Sequence, residues 1–246
     1  MLGKSRLKYI QSLGHKKQRE QEGLFVAEGP KLAEEILGGM AGQVLEILAL
    51  ESWIARVRGD YPGVPMTVVT EEELGRMTQL STANQVIVLV RIPEPVHNID
   101  VKGKVTLVLD TIQDPGNLGT LIRIADWFGV SQIVCSPATA DPYNPKVVQS
   151  TMGSIARVTM MYTDLHQWLR ENHQVGIYAA ALKGTNINTM GKLKEGIIVI
   201  GNESKGIDLA ILEMVQHKIT IPRIGHAESL NAAVATGIIL SHLLGE

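Results

Sequence analysis

Two hydrophobic periods alternate along this chain, and their alternation sets the expected fold. Ser5 to Leu13 is helix-like, and in PKLAEEIL Pro30 suits a first helical turn while Leu32, Ala33, Ile36 and Leu37 share one face. Short apolar runs between the helices read as strands: VLEILAL (44–50), residues 64–69 and QVIVLVR (85–91). Thr70 with Glu73 forms a capping box, which satisfies two orphan N–H groups and opens a helix after the second of these strands. Together these pieces predict a small α/β domain over residues 1–92.

The segment IPEPVHNID carries two prolines and several turn formers, and residues 93–100 read as a linker. Beyond it the alternation resumes. Strand-like runs are VTLVLD (105–110), QIVCS (132–136), RVTMMY (157–162), VGIYAAAL (175–182), GIIVIG (196–201) and HKITIP (217–222), with helical segments between them. A last helix is expected from about Ser229 to Leu244. Strands separated by helices imply a parallel sheet covered on both faces, here a second domain over residues 101–246. Ligands of such sheets sit beyond the C-terminal strand ends.

Composition narrows the class. Of 246 residues, 45% are apolar and 20% charged, as in an ordinary globular protein. No apolar run reaches the roughly 18 residues of a membrane helix, and the N-terminus lacks the apolar core of a signal peptide. Cys135 is the single cysteine, which excludes an internal disulfide, suits the reducing cytoplasm and reads as a small buried hydrophobe. Charge is uneven: residues 1–20 carry Lys4, Arg6, Lys8, Lys16, Lys17 and Arg19 against Glu20 alone. Such a segment points either to a polyanion partner or to a solvated helix end.

Several chemistries are excluded by spacing. Gly201 and Gly206 have the separation of a Walker loop, but Ile207 and Asp208 stand where Lys and a hydroxyl are required. The same loop carries Glu203, which repels phosphate. No two glycines are spaced Gly-x-Gly, so a dinucleotide fingerprint is missing. There is no Cys-x-x-Cys and no His-x-x-x-His, so no metal site is expected. A Gly-x-Ser-x-Gly hydrolase elbow is also missing.

Three strand exits share an unusual polar chemistry. In DTIQDPGNLGTLIRIADW, Asn117 reads as a helix cap or a functional amide. Arg123 interrupts an apolar run, where a cation needs a partner; Asp126 or Asp114 would supply an ordinary ion pair. In GNESKG, Asn202 and Glu203 project at the tip of a buried strand, though Glu203 also suits the start of a helix. In IPRIGHAESLNAAVATG, Ser229 reads as an N-cap, and Asn231 falls in the first helical turn, where an Asn suits a hydrogen bond across the site.

In this order, Asn117-x-Gly119-x3-Arg123, Gly201-Asn202-Glu203-x2-Gly206, and Ile221-Pro222 followed by Ser229-Leu230-Asn231 resemble the three motifs of the SpoU (TrmH-like) RNA ribose 2′-O-methyltransferases of the SPOUT superfamily. The likeness spans residues 105–244, and EGLFVAEGPKLAEEIL more loosely resembles the ribosomal-protein-like α/β domain that binds substrate RNA in many members. One departure is Ala233, where members often carry Ser. The resemblance implies an α/β fold with a C-terminal parallel-sheet SPOUT domain closed by a deep trefoil knot, and S-adenosylmethionine as cofactor. It implies that Gly201, Ile221 and Leu230 line an adenosine pocket. Arg123 would hold RNA phosphate and stabilise the developing alkoxide, while Asn117, Ser229 and Asn231 position the ribose. Glu203, the phosphate or water would take the proton. The family forms homodimers and acts on rRNA or tRNA, with the two-domain layout favouring rRNA; the basic residues Lys4, Arg6, Lys8, Lys16, Lys17 and Arg19 would then contact RNA. A non-catalytic RNA-binding or ribosome-assembly protein that keeps the fold is the alternative reading.

Overall fold

A computed structural model describes residues 2–244 of the chain. Its first elements are α1 (Lys4–Ser12), α2 (Lys16–Glu22), β1 (Leu24–Glu28), α3 (Pro30–Met40), β2 (Val44–Ala49), α4 (Glu51–Val57), β3 (Met66–Val68), α5 (Glu71–Met77) and β4 (Val86–Arg91). They are followed by β5 (Val105–Leu109), α6 (Pro115–Trp127), β6 (Gln132–Cys135), α7 (Pro145–Thr151), β7 (Thr159–Tyr162) and α8 (Leu165–Glu171). The last are β8 (Ile177–Asn186), β9 (Gly196–Ile200), α9 (Leu209–Met214), β10 (His217–Thr220) and α10 (Ala232–Leu244). Two compact units result: the chain through Glu94 together with Asp141–Ala156, and Pro95–Ala140 together with the chain from Arg157 onward.

The first unit is built on a four-stranded sheet of order β1-β4-β2-β3, antiparallel except for the β2–β3 pair. The period of two along β4 divides the core. Val86, Val88 and Val90 face one cluster with Phe25, Ile36, Leu37, Trp53 and Ile54. Ile87 and Leu89 face another with Leu7, Ile10, Leu13, Leu74 and Met77 of the flanking helices. The predicted capping box is present at the start of α5, with Thr70 accepting from the Glu73 N–H and Glu73 accepting from the Thr70 N–H. Strand β1 was not anticipated from the sequence, because all five of its residues are buried and no alternation marks it.

Segment 141–156 departs from the expected division, which placed it in a contiguous second domain. Val148 and Ile155 join the core cluster beneath α3, and the Tyr143 ring stacks obliquely on Phe25 at 4.9 Å between centroids. Asp141 receives Arg19 Nη2 at 2.5 Å, and Arg19, only 2% exposed, also donates to the Leu13 and Gly14 carbonyls. Gly153 lies so close to α3 that an added Cβ would stand 2.3 Å from the Glu35 Cβ, and its φ of +99° suits glycine alone. Long-range packing of this kind leaves no mark in local periodicity.

The second unit carries a six-stranded sheet of order β10-β8-β9-β5-β6-β7, with every neighbouring pair parallel. Val108, Val134, Ile177, Ile197 and Val199 pack with Leu165, Trp168, Leu169 and Ile211 of α8 and α9. The alternate residues Leu107, Leu109, Ile133, Ile198 and Ile200 are equally buried on the opposite face. Burial on both faces explains why these strands read as unbroken apolar runs. Along the β8–β10 pair the register jumps from Lys218↔Ala179 to Ile219↔Thr185, so Ala180–Gly184 stands outside the ladder at the C-terminal end of the sheet. This extends β8 to Asn186, past the expected end at residue 182.

Candidate active site

The exits of β5, β9 and β10 meet at the C-terminal edge of this sheet through one chain of amide hydrogen bonds. It starts at a helix cap. The Asn231 side-chain oxygen accepts from the Ala233 and Val234 N–H groups, so Asn231, rather than Ser229, caps α10. That fixes its amide nitrogen outward, where it donates to Asn117 Oδ1 at 2.9 Å. Asn117 is therefore oriented with its own Nδ2 toward Glu203, donating to Oε1 at 2.5 Å. The cap expected at Asn117 belongs to Asp114, whose carboxylate accepts from the Asn117 N–H; Asn117 sits one turn in and is free to face the site.

The GNESKG loop closes on itself. Asn202 and Gly206 exchange both backbone hydrogen bonds, at 3.0 and 2.9 Å, and the Asn202 side-chain oxygen accepts from the Ser204 and Lys205 N–H groups. Four backbone donors are thus consumed inside the loop. A phosphate cradle needs such donors free, so the loop cannot serve as one. Gly201 faces the Gly206–Ile207 backbone so closely that a Cβ would stand 2.4 Å from Gly206 C and Ile207 N. Gly201→Ala is therefore expected to force the loop open and to lower Tm, read by thermal unfolding.

Arg123 stands apart. It is exposed on α6 and has no ion pair or hydrogen-bond partner among the described residues. Asp126, one of the expected partners, instead takes Arg157 through Nε and Nη2 at 3.0 and 2.8 Å. Six helical positions turn Arg123 about 120° around α6 from Asn117 and carry it about 9 Å along the axis. It shares the exposed side of α6 with Trp127, 82% exposed, while Val234 and Ile238 are exposed on the adjoining helix α10.

Ser229 is exposed on the loop that follows β10, and Leu230 beside it is 46% exposed. Ile221 is half-buried at the start of that loop, where Ile224 is also exposed. Sequence reasoning missed Leu182, an exposed apolar residue in the stretch of β8 outside the ladder; its carbonyl accepts from Thr220 Oγ1, beside Ile221. The polar break LysGly after Leu182 is the one sequence signal that marks it. Exposed apolar side chains in β8 and after β10, with the loop N–H donors after β9 already spent, fit an uncharged ligand surface better than a nucleotide phosphate.

The basic N-terminal set divides. Lys4, Lys8, Lys16 and Lys17 are exposed on α1 and α2. Arg6 is held by Glu46 at 2.5 Å and lies over the Tyr9 ring at 5.2 Å. Arg19 is withdrawn from any surface role by its burial and its pairing with Asp141, which corrects its expected place among RNA contacts. Among the described residues no cluster of three or more His, Cys, Asp or Glu side chains could hold a metal ion, and no helix is long and apolar enough to cross a membrane.

Comparison with known proteins agrees with the order of these features. Residues 4–88 match the MRM3-like substrate binding domain. The chain is 33% identical, over 98% of its length and 96% of the relative's, to the 23S rRNA (guanosine(2553)-2′-O)-methyltransferase RlmP of Bacillus subtilis. Among solved structures, an AdoMet-bound rRNA methyltransferase from Sinorhizobium meliloti superposes with a TM-score of 0.86 at 29% identity, covering 99% of this chain and 95% of that one. A TrmH-family protein from Porphyromonas gingivalis gives the same TM-score at 30% identity, covering 99% and 98%. Residues 104–241, which contain the parallel sheet and all three exits joined through Asn117, match the SpoU rRNA Methylase family, and the chain belongs to it.

Proposed function

We propose that this protein methylates a ribose 2′-hydroxyl of ribosomal RNA, using S-adenosylmethionine. The observation that carries the reading is the hydrogen-bonded union of Asn231, Asn117 and Glu203 across two strand exits and the cap of α10. Bound S-adenosylmethionine supplies an electrophilic methyl group. Gly201, Ile221 and Leu230, with Leu182, hold its adenosine by apolar contact and close backbone approach. Asn117 and Asn231 fix Glu203, whose second carboxylate oxygen accepts a hydrogen bond from the ribose hydroxyl and orients it, and the hydroxyl proton leaves to Glu203, to the RNA phosphate or to water as the oxygen takes the methyl group. Ser229, exposed on the loop after β10, adds a hydroxyl that positions the ribose. Arg123 holds the RNA phosphate and stabilises the alkoxide as charge develops, while remaining protonated throughout.

Arg123 reaches a site by dimerisation in this reading. Its direction away from Asn117, together with exposed Trp127, Val234 and Ile238, supports a two-fold pairing of α6 and α10 that delivers Arg123 to the partner subunit. Trp127→Glu combined with Val234→Glu is expected to convert a dimer to monomers in sedimentation velocity and to remove methyl transfer. A stable dimer in that variant would refute the assigned face. The knotted arrangement of the family belongs to the same reading.

RNA binding is assigned mainly to the first unit, through Lys4, Lys8, Lys16 and Lys17, with the substrate-domain match over residues 4–88 as support. A cytoplasmic location follows from an rRNA substrate. The test is transfer of labelled methyl from S-adenosylmethionine to rRNA from cells lacking the protein, followed by mapping of the modified nucleotide. Label on a 2′-oxygen is the expected result. Label on a base would overturn the ribose assignment, and cofactor binding without transfer to any RNA would favour the assembly-protein alternative.

A further inference from the structure

Thr111 is one of two residues other than glycine with positive φ among the described residues, at +59°. For a β-branched side chain this conformation is unfavourable, and it persists only where the surroundings over-determine it. Here every polar group of the residue is engaged. The Thr111 N–H donates to Ser136 Oγ at 2.8 Å, its hydroxyl donates to Asp110 Oδ1 at 2.8 Å, and its carbonyl accepts from Asn202 Nδ2 at 2.9 Å. Ser136 is in turn within 3.2 Å of Thr139 Oγ1. Asp110, 7% exposed, uses its other oxygen to accept from the Asp208 N–H at 2.8 Å, at the cap of α9. Two bonds therefore run from the end of β5 to the GNESKG loop: one at its start, through Asn202, and one just past its end, through Asp208.

We infer that Thr111 is a positioning residue for methyl transfer, a strained backbone pivot that, with Asp110, fixes the Asn202–Asp208 loop and thereby sets Gly201 and Glu203. The left-handed turn directs the Thr111 carbonyl at the Asn202 amide. Asn202, so held, folds Ser204 and Lys205 around its own side-chain oxygen and keeps the loop in the form that packs the Gly206–Ile207 backbone against Gly201. This inference rests on the proposed cofactor site, and its test is arranged to separate the two.

The test is calorimetric binding of S-adenosylmethionine to the full chain and to the variants Asn202→Asp, Thr111→Gly and their double. Asn202→Asp retains the acceptor for Ser204 and Lys205 but removes the donor to Thr111. Added negative charge alone would tighten binding of a cationic ligand; loss of positioning weakens it, and a rise in Kd of at least tenfold is expected. Thr111→Gly relieves the backbone strain while deleting the anchor to Asp110. It should keep or raise Tm yet weaken binding about fivefold or more. Because the two substitutions break successive links of one path, Asn202 to the Thr111 carbonyl and the Thr111 hydroxyl to Asp110, the double variant should bind no worse than the more impaired single variant. Unchanged or tighter binding by Asn202→Asp, or penalties that multiply in the double, would overturn the inference. Should Asn202→Asp fail to fold, the split between Tm and Kd in Thr111→Gly decides the matter. A wild-type chain that binds no S-adenosylmethionine would instead overturn the cofactor site itself.

Discussion

Arg123→Ala is expected to lower turnover by about 10²–10³-fold while leaving S-adenosylmethionine affinity within about twofold, the range seen when one donor to a developing oxyanion is removed. The structure makes this a clean substitution. Arg123 is exposed and without a partner among the described residues, so its loss orphans no buried group and Tm should barely move. A cation kept on the same side of α6 as exposed Trp127, with no partner among the described residues, is poorly explained by stability. Its direction, turned from Asn117, gives a second readout. If Arg123 completes the partner's site, mixing Arg123→Ala with Gly201→Ala and reassociating the chains restores roughly one quarter of wild-type activity. Random pairing makes half the dimers mixed, and each of these carries one intact site. No recovery on mixing would return Arg123 to its own subunit's site.

The second large effect concerns residues 1–92. Their deletion at the expected domain boundary should give an insoluble product. Segment 141–156 remains in such a chain, and its Tyr143, Val148 and Ile155 lose the surfaces of β1 and α3 that cover them. Each large apolar side chain so exposed forfeits about 1.5–3 kcal/mol, and Asp141 loses the buried guanidinium of Arg19. Replacing residues 141–156 by a short Gly-Ser bridge in the same deletion should restore solubility, read as the monodisperse fraction in size exclusion. A soluble 93–246 fragment without that replacement would show that segment 141–156 does not depend on the first unit.

The parts of this molecule that local chemistry dictates were legible in the sequence. The apolar runs of β5, β6 and β9 and the Thr70–Glu73 box need only neighbours within a turn or a strand to declare themselves. The polar triad was visible as residue types, but its wiring was not. Asn117 looks like a cap until Asp114 is seen to do that work three positions earlier. Asn231 is displaced into the cap because the chain from Pro222 to Leu230 stays irregular and exposed. Thr111 carried no signal at all, since its conformation is imposed by Ser136, Asp110 and Asn202, separated from one another by up to 92 positions' worth of chain that only folding brings together. Arg19 failed for the same reason: a guanidinium among lysines reads as surface until Asp141, 122 positions away, arrives to bury it.

The interrupted first unit has a consequence for the order in which the protein is made. When Glu94 leaves the ribosome the four-stranded sheet has all its strands, yet Phe25 and Ile36 still lack Val148 and Ile155. About 60 further residues, most of them belonging to the second unit, must be synthesised before Ala156 appears. At about 5–20 residues per second this leaves an apolar face uncovered for roughly 3–12 s in every nascent chain. During that interval the N-terminal unit is a natural client for a chaperone that recognises exposed aliphatic and aromatic surface, and slow codons between Glu94 and Ala156 would lengthen its exposure.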